Sequence, residues 1–307
     1  MTMTMTQSEE QALVSKYNDI SNLRGVADLA FHWGLIGLMF WWVHTTQSIL
    51  VGMVALVVIA SLQNGLASMA HEAFHFKVFK TKRLNSLAGA YLCSYPLGLP
   101  YETYRKRHLD HHRKVGRADD PDWGNYQGEQ FESAAAVYRF YLGKLLGTYL
   151  VVNVLSTLSG NKPPVLETSS SADSSSDVVS LGMTQAVLFT LIAVLFDWWL
   201  YFLLWALPII TVTSFLISFR AWLEHNHSDE NSEVGQRLFD YKPNALEHFM
   251  VSPCHFHLHA IHHAYPAVPH YRLKAMKREM ADRGISYPCI DREGYLKAFR
   301  EKVSALP

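Results

Sequence analysis

Charge is scarce in this chain. Asp, Glu, Lys and Arg make up 18% of its 307 residues, against about a quarter in an ordinary soluble domain. The 27 basic residues balance the 27 acidic ones. A net charge of zero argues against a nucleic-acid binder, which needs a basic face to meet phosphates, and against an acidic disordered chain. Cysteine is scarcer still. Cys93, Cys254 and Cys289 are widely spaced and form no C-x-x-C pair, so no disulfide framework or thiolate zinc site can be built from them. Gly and Pro are ordinary in number, 17 and 12, which excludes collagen-like and low-complexity chains. The first ten residues carry no basic stretch followed by a short apolar one. They do not read as a cleavable signal peptide, and the first apolar segment is expected to stay as an anchor. Flavin, dinucleotide and haem-binding motifs are missing, and the chain is too short for a fused reductase.

Apolar residues, by contrast, reach 49% and are clustered. Ala27 to Val43, Ile49 to Ala70, Val178 to Phe196 and Trp198 to Phe219 are four nearly uncharged runs. Each approaches the roughly 20 residues that cross a hydrocarbon core. Four such runs would need a very large soluble core, so the expected fold is an all-α integral membrane protein with four transmembrane helices in two hairpins. The hairpin turns, His44–Ser48 and the region of Asp197, contain no Lys or Arg. Ten basic residues fall between Lys77 and Arg117 and twelve between Arg220 and Lys302. Basic loops stay on the cytoplasmic side, which predicts both termini and a helical cap there. Leu84 to Leu99, broken by Pro96, and Ala134 to Leu158, carrying Arg139 and Lys144, read as interfacial or re-entrant segments. The expected organisation is an N-terminal cytoplasmic segment, residues 1–26, and one membrane domain, residues 27–307. Within it a Ser-rich stretch at about 159–177 reads as a flexible loop. The Trp residues at 33, 41, 42, 198 and 199 suit an interfacial aromatic belt better than a substrate channel wall.

Sixteen histidines are the anomaly. They include three clusters: His71-Glu-Ala-Phe-His75 at the end of the second apolar run, His108-Leu-Asp-His111-His112, and His259-Ala-Ile-His262-His263. Residues at i, i+3 and i+4 share a helix face, so each cluster aims two or three imidazoles at one region. Eight imidazoles are too many for one tetrahedral zinc ion, and two metal ions are the natural count. His225, just past the last apolar run beside Glu224, is the ninth candidate. Imidazole alone leaves Fe, Zn, Cu and Ni open. Asp119, Asp120 and Asp122 suit either acceptors that orient imidazoles or a turn closed by Asp and Pro. The other seven histidines, His32, His44, His227, His248, His255, His257 and His270, are read as ordinary core or surface residues, with support of the third cluster the alternative for His255 and His257. A membrane metal transporter or sensor is disfavoured, because transport sites lie at mid-membrane and the last two runs contain no His.

The order H-x3-H, H-x2-H-H, H-x2-H-H after membrane hairpins resembles the integral-membrane fatty acid desaturase and hydroxylase superfamily. So do Asp119-Asp120-Pro121-Asp122 after the second cluster and Tyr265-Pro266 through Leu273 after the third. The resemblance covers roughly Ala27 to Arg283. It implies a di-iron centre of two Fe2+ ions held by His71, His75, His108, His111, His112, His225, His259, His262 and His263, with O2 as co-substrate. It also implies an external electron donor, a ferredoxin or a cytochrome with its reductase, and a lipid or fatty acyl substrate. Desaturation of an acyl chain is the activity first expected; the same superfamily contains hydroxylases, ketolases and alkene-forming decarboxylases. Asp110 in the second cluster and His257 before the third depart from many relatives.

Overall fold

A computed structural model describes residues 5–117, 119–122, 131–159, 174–225, 238–285 and 290–307. His227, Cys289 and most of the Ser-rich stretch lie outside the described residues. Four helices are long and apolar enough to cross a membrane: α2 (Asn22–Thr46), α3 (Ile49–Phe74), α8 (Ser174–Leu195) and α9 (Trp198–Glu224). They coincide with the four apolar runs and extend each by up to several residues. The most apolar stretch of α8 is only 6% buried. Apolar surface on that scale needs a solvent other than water.

Each hairpin turn has a local cause. Between α2 and α3, Gln47 takes a left-handed conformation (φ 49°) and Ser48 caps the next helix through the Val51 N–H. Between α8 and α9 the chain turns at Asp197, whose carboxylate accepts from His44 Nδ1 at 2.8 Å. That bond ties one hairpin turn to the other, so His44 is a structural residue. α2 and α3 pack closely where glycine allows it: a Cβ on Gly65 would lie 2.0 Å from His32 Nε2.

The two ambiguous apolar stretches are not single spans. α4 (Lys82–Ala88) runs into a π turn, Gly89–Ser94, and a 3-10 turn, Tyr95–Leu97, before Gly98 ends it at φ 76°. Its inner face is buried against α3, while Leu84, Leu87, Tyr91 and Leu92 are exposed. Ala134 to Leu158 is two helices, α6 (Ala134–Leu145) and α7 (Thr148–Leu158), broken at Gly147 (φ 69°). α9 also contains π turns, Tyr201–Ala206 and Ile209–Thr213, on either side of Pro208. Proline removes one N–H from the helix ladder, and the carbonyls that such breaks leave free need partners in an apolar medium. Gln63 supplies one for Trp205 O at 3.0 Å, and Gln185 and Trp205 supply Pro96 O at 2.8 and 2.9 Å. The Ser-rich loop ends earlier than expected, because residues 174–177 already belong to α8. Asp177 there accepts from the Tyr95 hydroxyl at 2.6 Å, which holds the start of the helix.

The remaining elements form a cap over one end of the four helices. It contains α1 (Gln7–Tyr17), α5 (Tyr101–Lys114), α10 (Ala245–Met250), α11 (His259–Ala264), α12 (His270–Asp282) and α13 (Tyr295–Ser304). A two-stranded parallel sheet, unforeseen in an all-α reading, pairs β1 (Phe239–Lys242) with β2 (Ile290–Glu293). α1 docks on α12, with Leu13 in the same apolar cluster as Met276 and Met280.

The helix contact at Gly65 is directly testable. Gly65→Ala is expected to destabilise the protein by about 1–3 kcal/mol through overpacking. Gly37→Ala meets nothing within 4 Å and is expected to be neutral or slightly stabilising. Thermal unfolding in detergent checks both, and equal melting temperatures would refute the close contact.

Candidate metal centre

α3 brings His71 and His75 to its C-terminal end, α5 brings His108, His111 and His112, the end of α9 brings His225, and α11 brings His259, His262 and His263. All nine sequence-predicted residues converge. They sort into two groups whose ligand nitrogens lie within 4.8 Å of one another: His71, His75, His108, His112 and His262; and His111, His225, His259 and His263. The groups touch, with the rings of His112 and His263 stacked 4.0 Å apart.

Helical geometry explains the H-x2-H-H spacing. At about 100° per residue, i and i+4 diverge by about 40°, whereas i+3 swings about 60° to the other side. On α5, His108 and His112 therefore join one group and His111 the other. On α11 the assignment is reversed: His259 and His263 share the second group and His262 crosses to the first.

The nitrogen spacing fits coordination. Nitrogens bound to one ion at about 2.1 Å stand about 3.0–3.4 Å apart. Nε2 of His225 is 3.3 Å from Nε2 of both His111 and His259, within that range, while the Nε2 atoms of His75 and His108, 2.7 Å apart, stand closer than two nitrogens on one ion. Both ring nitrogens of His71, His112, His262 and His263 are buried without a hydrogen-bond partner among the described residues. An unsatisfied buried polar group costs about 1–3 kcal/mol, so four such rings in one place are hard to explain unless they hold something. Burial also keeps these rings neutral. It pushes His75 and His225 down to about 3, and it lowers His108, His112, His259, His262 and His263 strongly, with neighbouring imidazoles adding to the effect. Neutral imidazole is the form that offers a lone pair to a metal.

Carboxylates and carbonyls orient the rings from behind. Nδ1 of His111 donates to both oxygens of Asp120 at 2.9 Å, and Nδ1 of His225 donates to Ala221 O at 2.8 Å. Each bond commits Nδ1 to the proton and leaves Nε2 as the acceptor. Of the three aspartates that follow the second cluster, only Asp120 plays this role. Asp122 pairs with Arg107 at 2.6 Å, and Asp119 pairs with Lys114 and Arg117.

Other supports carried no sequence signal. The fully buried Asp240 accepts from the Ala260 N–H at 2.7 Å and so caps the start of α11. Lys277 neutralises it at 2.7 Å. Asn85 clamps the chain after His75, accepting from the Val78 N–H at 2.9 Å and donating to Ala73 O at 2.7 Å. Glu224, buried beside His225, accepts from the Tyr295 hydroxyl at 2.8 Å, pairs with Arg220 at 3.4 Å and lies 3.7 Å from His259 Nδ1. Phe256 stacks on His259 with ring centres 5.4 Å apart and meets His71 at 4.6 Å. The Arg220 guanidinium lies 3.6 Å from the Phe256 ring centre. Glu72, next to His71, accepts from the His270 N–H at 3.0 Å, and His270 Nε2 meets Asp28 at 3.3 Å. His32 donates to Asp28 O at 2.7 Å. His255 and His257 are in neither group; their rings face His248 instead.

The profile of the Fatty acid desaturase family matches residues 41–289. The chain belongs to the fatty acid desaturase family. Two curated relatives match over most of its length. A beta-carotene ketolase of Paracoccus sp. (strain N81106 / MBIC 01143) is 28% identical over 224 residues, which is 70% of this chain and 75% of that protein. A beta-carotene ketolase of Paracoccus sp. (strain PC1) is 24% identical over 268 residues, 84% of this chain and 93% of that one. This desaturase-family protein is therefore an oxidoreductase of the membrane desaturase and hydroxylase type, with a histidine centre suited to metal.

The role of Asp120 yields a prediction. Asp120→Ala is expected to weaken metal retention by about 10- to 100-fold in a chelator titration. Asp119→Ala, which removes only surface ion pairs, is expected to match the wild type. Equal retention in both variants would remove Asp120 from the support of the centre.

Proposed function

We propose that this protein oxidises a C–H bond of a lipid-soluble hydrocarbon with O2, inserting oxygen in the manner of its ketolase relatives. In this reading one iron is held by His71, His75, His108, His112 and His262, and a second by His111, His225, His259 and His263. The observation that carries it is the pair of touching, nitrogen-only groups at the ends of apolar helices. A five-nitrogen group exceeds the tetrahedral preference of structural zinc and suits an ion of higher coordination number. Bound there, the metal pair supplies O2-dependent C–H oxidation, chemistry beyond the reach of any side chain.

The protein's own residues do the rest. The imidazoles would hold both ions through their ring nitrogens. Asp120 and Ala221 O hold two rings in the correct tautomer. The Asp240 cap and the clamp at Asn85 fix the two short segments on which a displacement of an ångström matters most. The apolar helices recruit a substrate from the lipid phase. Each oxygen insertion consumes one O2, two electrons and two protons, leaves one oxygen on carbon and releases one water; a second round at the same carbon, followed by loss of water, gives a ketone. The electrons come from an external donor, a ferredoxin or a cytochrome with its reductase. The Lys and Arg distribution supports a cytoplasmic position for the centre and both termini in this reading, with residues 27–307 taken as one membrane domain and residues 1–26 leading into it.

The family profile supports a second reading, desaturation of a fatty acyl chain, in which two hydrogens leave and no oxygen is retained. Expression in a host that accumulates β-carotene and has a defined acyl composition separates the two. Mass spectrometry is expected to find a pigment that has gained one oxygen and lost two hydrogens per oxidised carbon. New double bonds in the acyl chains would favour the second reading instead. His262→Ala is expected to abolish whichever product forms. An undiminished product in that variant would refute the centre's role.

A further inference from the structure

Outside the metal centre the cap contains a third histidine group. His248, His255 and His257 face one another with ring centres 5.1–5.9 Å apart. They line a cavity of about 470 Å³ together with Lys242, Lys274 and Lys277. The chain reaches this wall through two successive left-handed residues, Cys254 (φ 54°) and His255 (φ 56°). That conformation is costly for residues with a Cβ and is concentrated at functional sites.

The group is not arranged for a cation. Its nitrogens do not converge as those of the other two groups do, and lysines share the wall. Among the described residues no carboxylate lines the cavity. Lys277 is committed to Asp240 and Asp291, but Lys242 and Lys274 form no ion pair among the described residues. The charge of the wall therefore favours carboxylates as occupants.

The position says what the occupant does. His257 and His259 are two residues apart, so their Cα atoms lie within about 7 Å of each other. Between them Phe256 reaches His259 of one imidazole group and His71 of the other. His255 and Leu258 also line the small cavity beside His71, His259 and His262. A redox protein seated here would stand one residue from both halves of the centre. Resting on the oxidase reading above, we propose that this basic cavity is the docking site of an acidic electron-transfer protein, whose surface carboxylates enter it opposite Lys242 and Lys274.

The test is direct binding of an oxidised, acidic [2Fe–2S] ferredoxin to the full-length protein in detergent, measured by calorimetry at low and high salt. The wild type is expected to bind with an affinity that falls as salt rises. Lys242→Glu/Lys274→Glu is expected to weaken binding by about tenfold or more, with Lys242→Ala/Lys274→Ala in between. Unchanged ferredoxin affinity in the charge-reversed protein would overturn the proposal. So would a loss confined to binding of phosphatidylglycerol vesicles, which would make this face a lipid contact. Product formed with dithionite as the reductant is expected to be the same in wild type and variants. Its absence even in the wild type would count against the oxidase reading, while the ferredoxin affinities would still decide the docking site.

Discussion

The structure depends on gathering nine imidazoles, most of them buried, with their nitrogens pointed inward at two common centres. Each ring alone would be an ordinary core histidine with one donor and one acceptor to satisfy. Brought together, they repel as cations and lack partners as neutral rings. Burial favours the neutral form of most of them, and four rings have no hydrogen bond at either nitrogen among the described residues. A pair of shared ions is the arrangement that satisfies such a set. The two-group division follows from helix geometry: an H-x2-H-H segment on a helix between two ions must split its middle histidine from the outer two.

The support of these rings explains much of the buried polarity in the cap. Asp120, Glu224 and Asp240 are nearly or fully buried, a cost accepted only when a charge is paired or hydrogen-bonded. Asp120 spends its charge on His111, Asp240 on the start of α11 and on Lys277, and Glu224 on Arg220 and Tyr295. The same economy appears among the apolar helices, where Gln63 and Gln185 satisfy carbonyls near the π turns. Irregular helix is thus tolerated where a side chain from a neighbouring element covers it.

Much of this was legible beforehand, for identifiable reasons. The four apolar helices follow from run length alone, and the metal groups follow from i, i+3, i+4 spacing. His225 could be singled out because it sits at the end of an apolar run beside Glu224. What stayed hidden depends on contacts distant along the chain. Asp240 lies about 20 residues before the helix it caps, and no local pattern marks it. The three aspartates after the second cluster look alike in sequence, and only their distances distinguish Asp120. His44 and His270, which looked unremarkable, proved to be structural through Asp197 and Asp28. The short parallel sheet escaped notice because its strands are four residues long and lie about 50 positions apart.

The most direct measurement of the central claim is the metal stoichiometry of the purified, full-length protein, by inductively coupled plasma mass spectrometry. Two irons per chain are predicted, with magnetic coupling between them visible by Mössbauer spectroscopy. A fully active preparation with no transition metal, or with a single isolated ion, would contradict it.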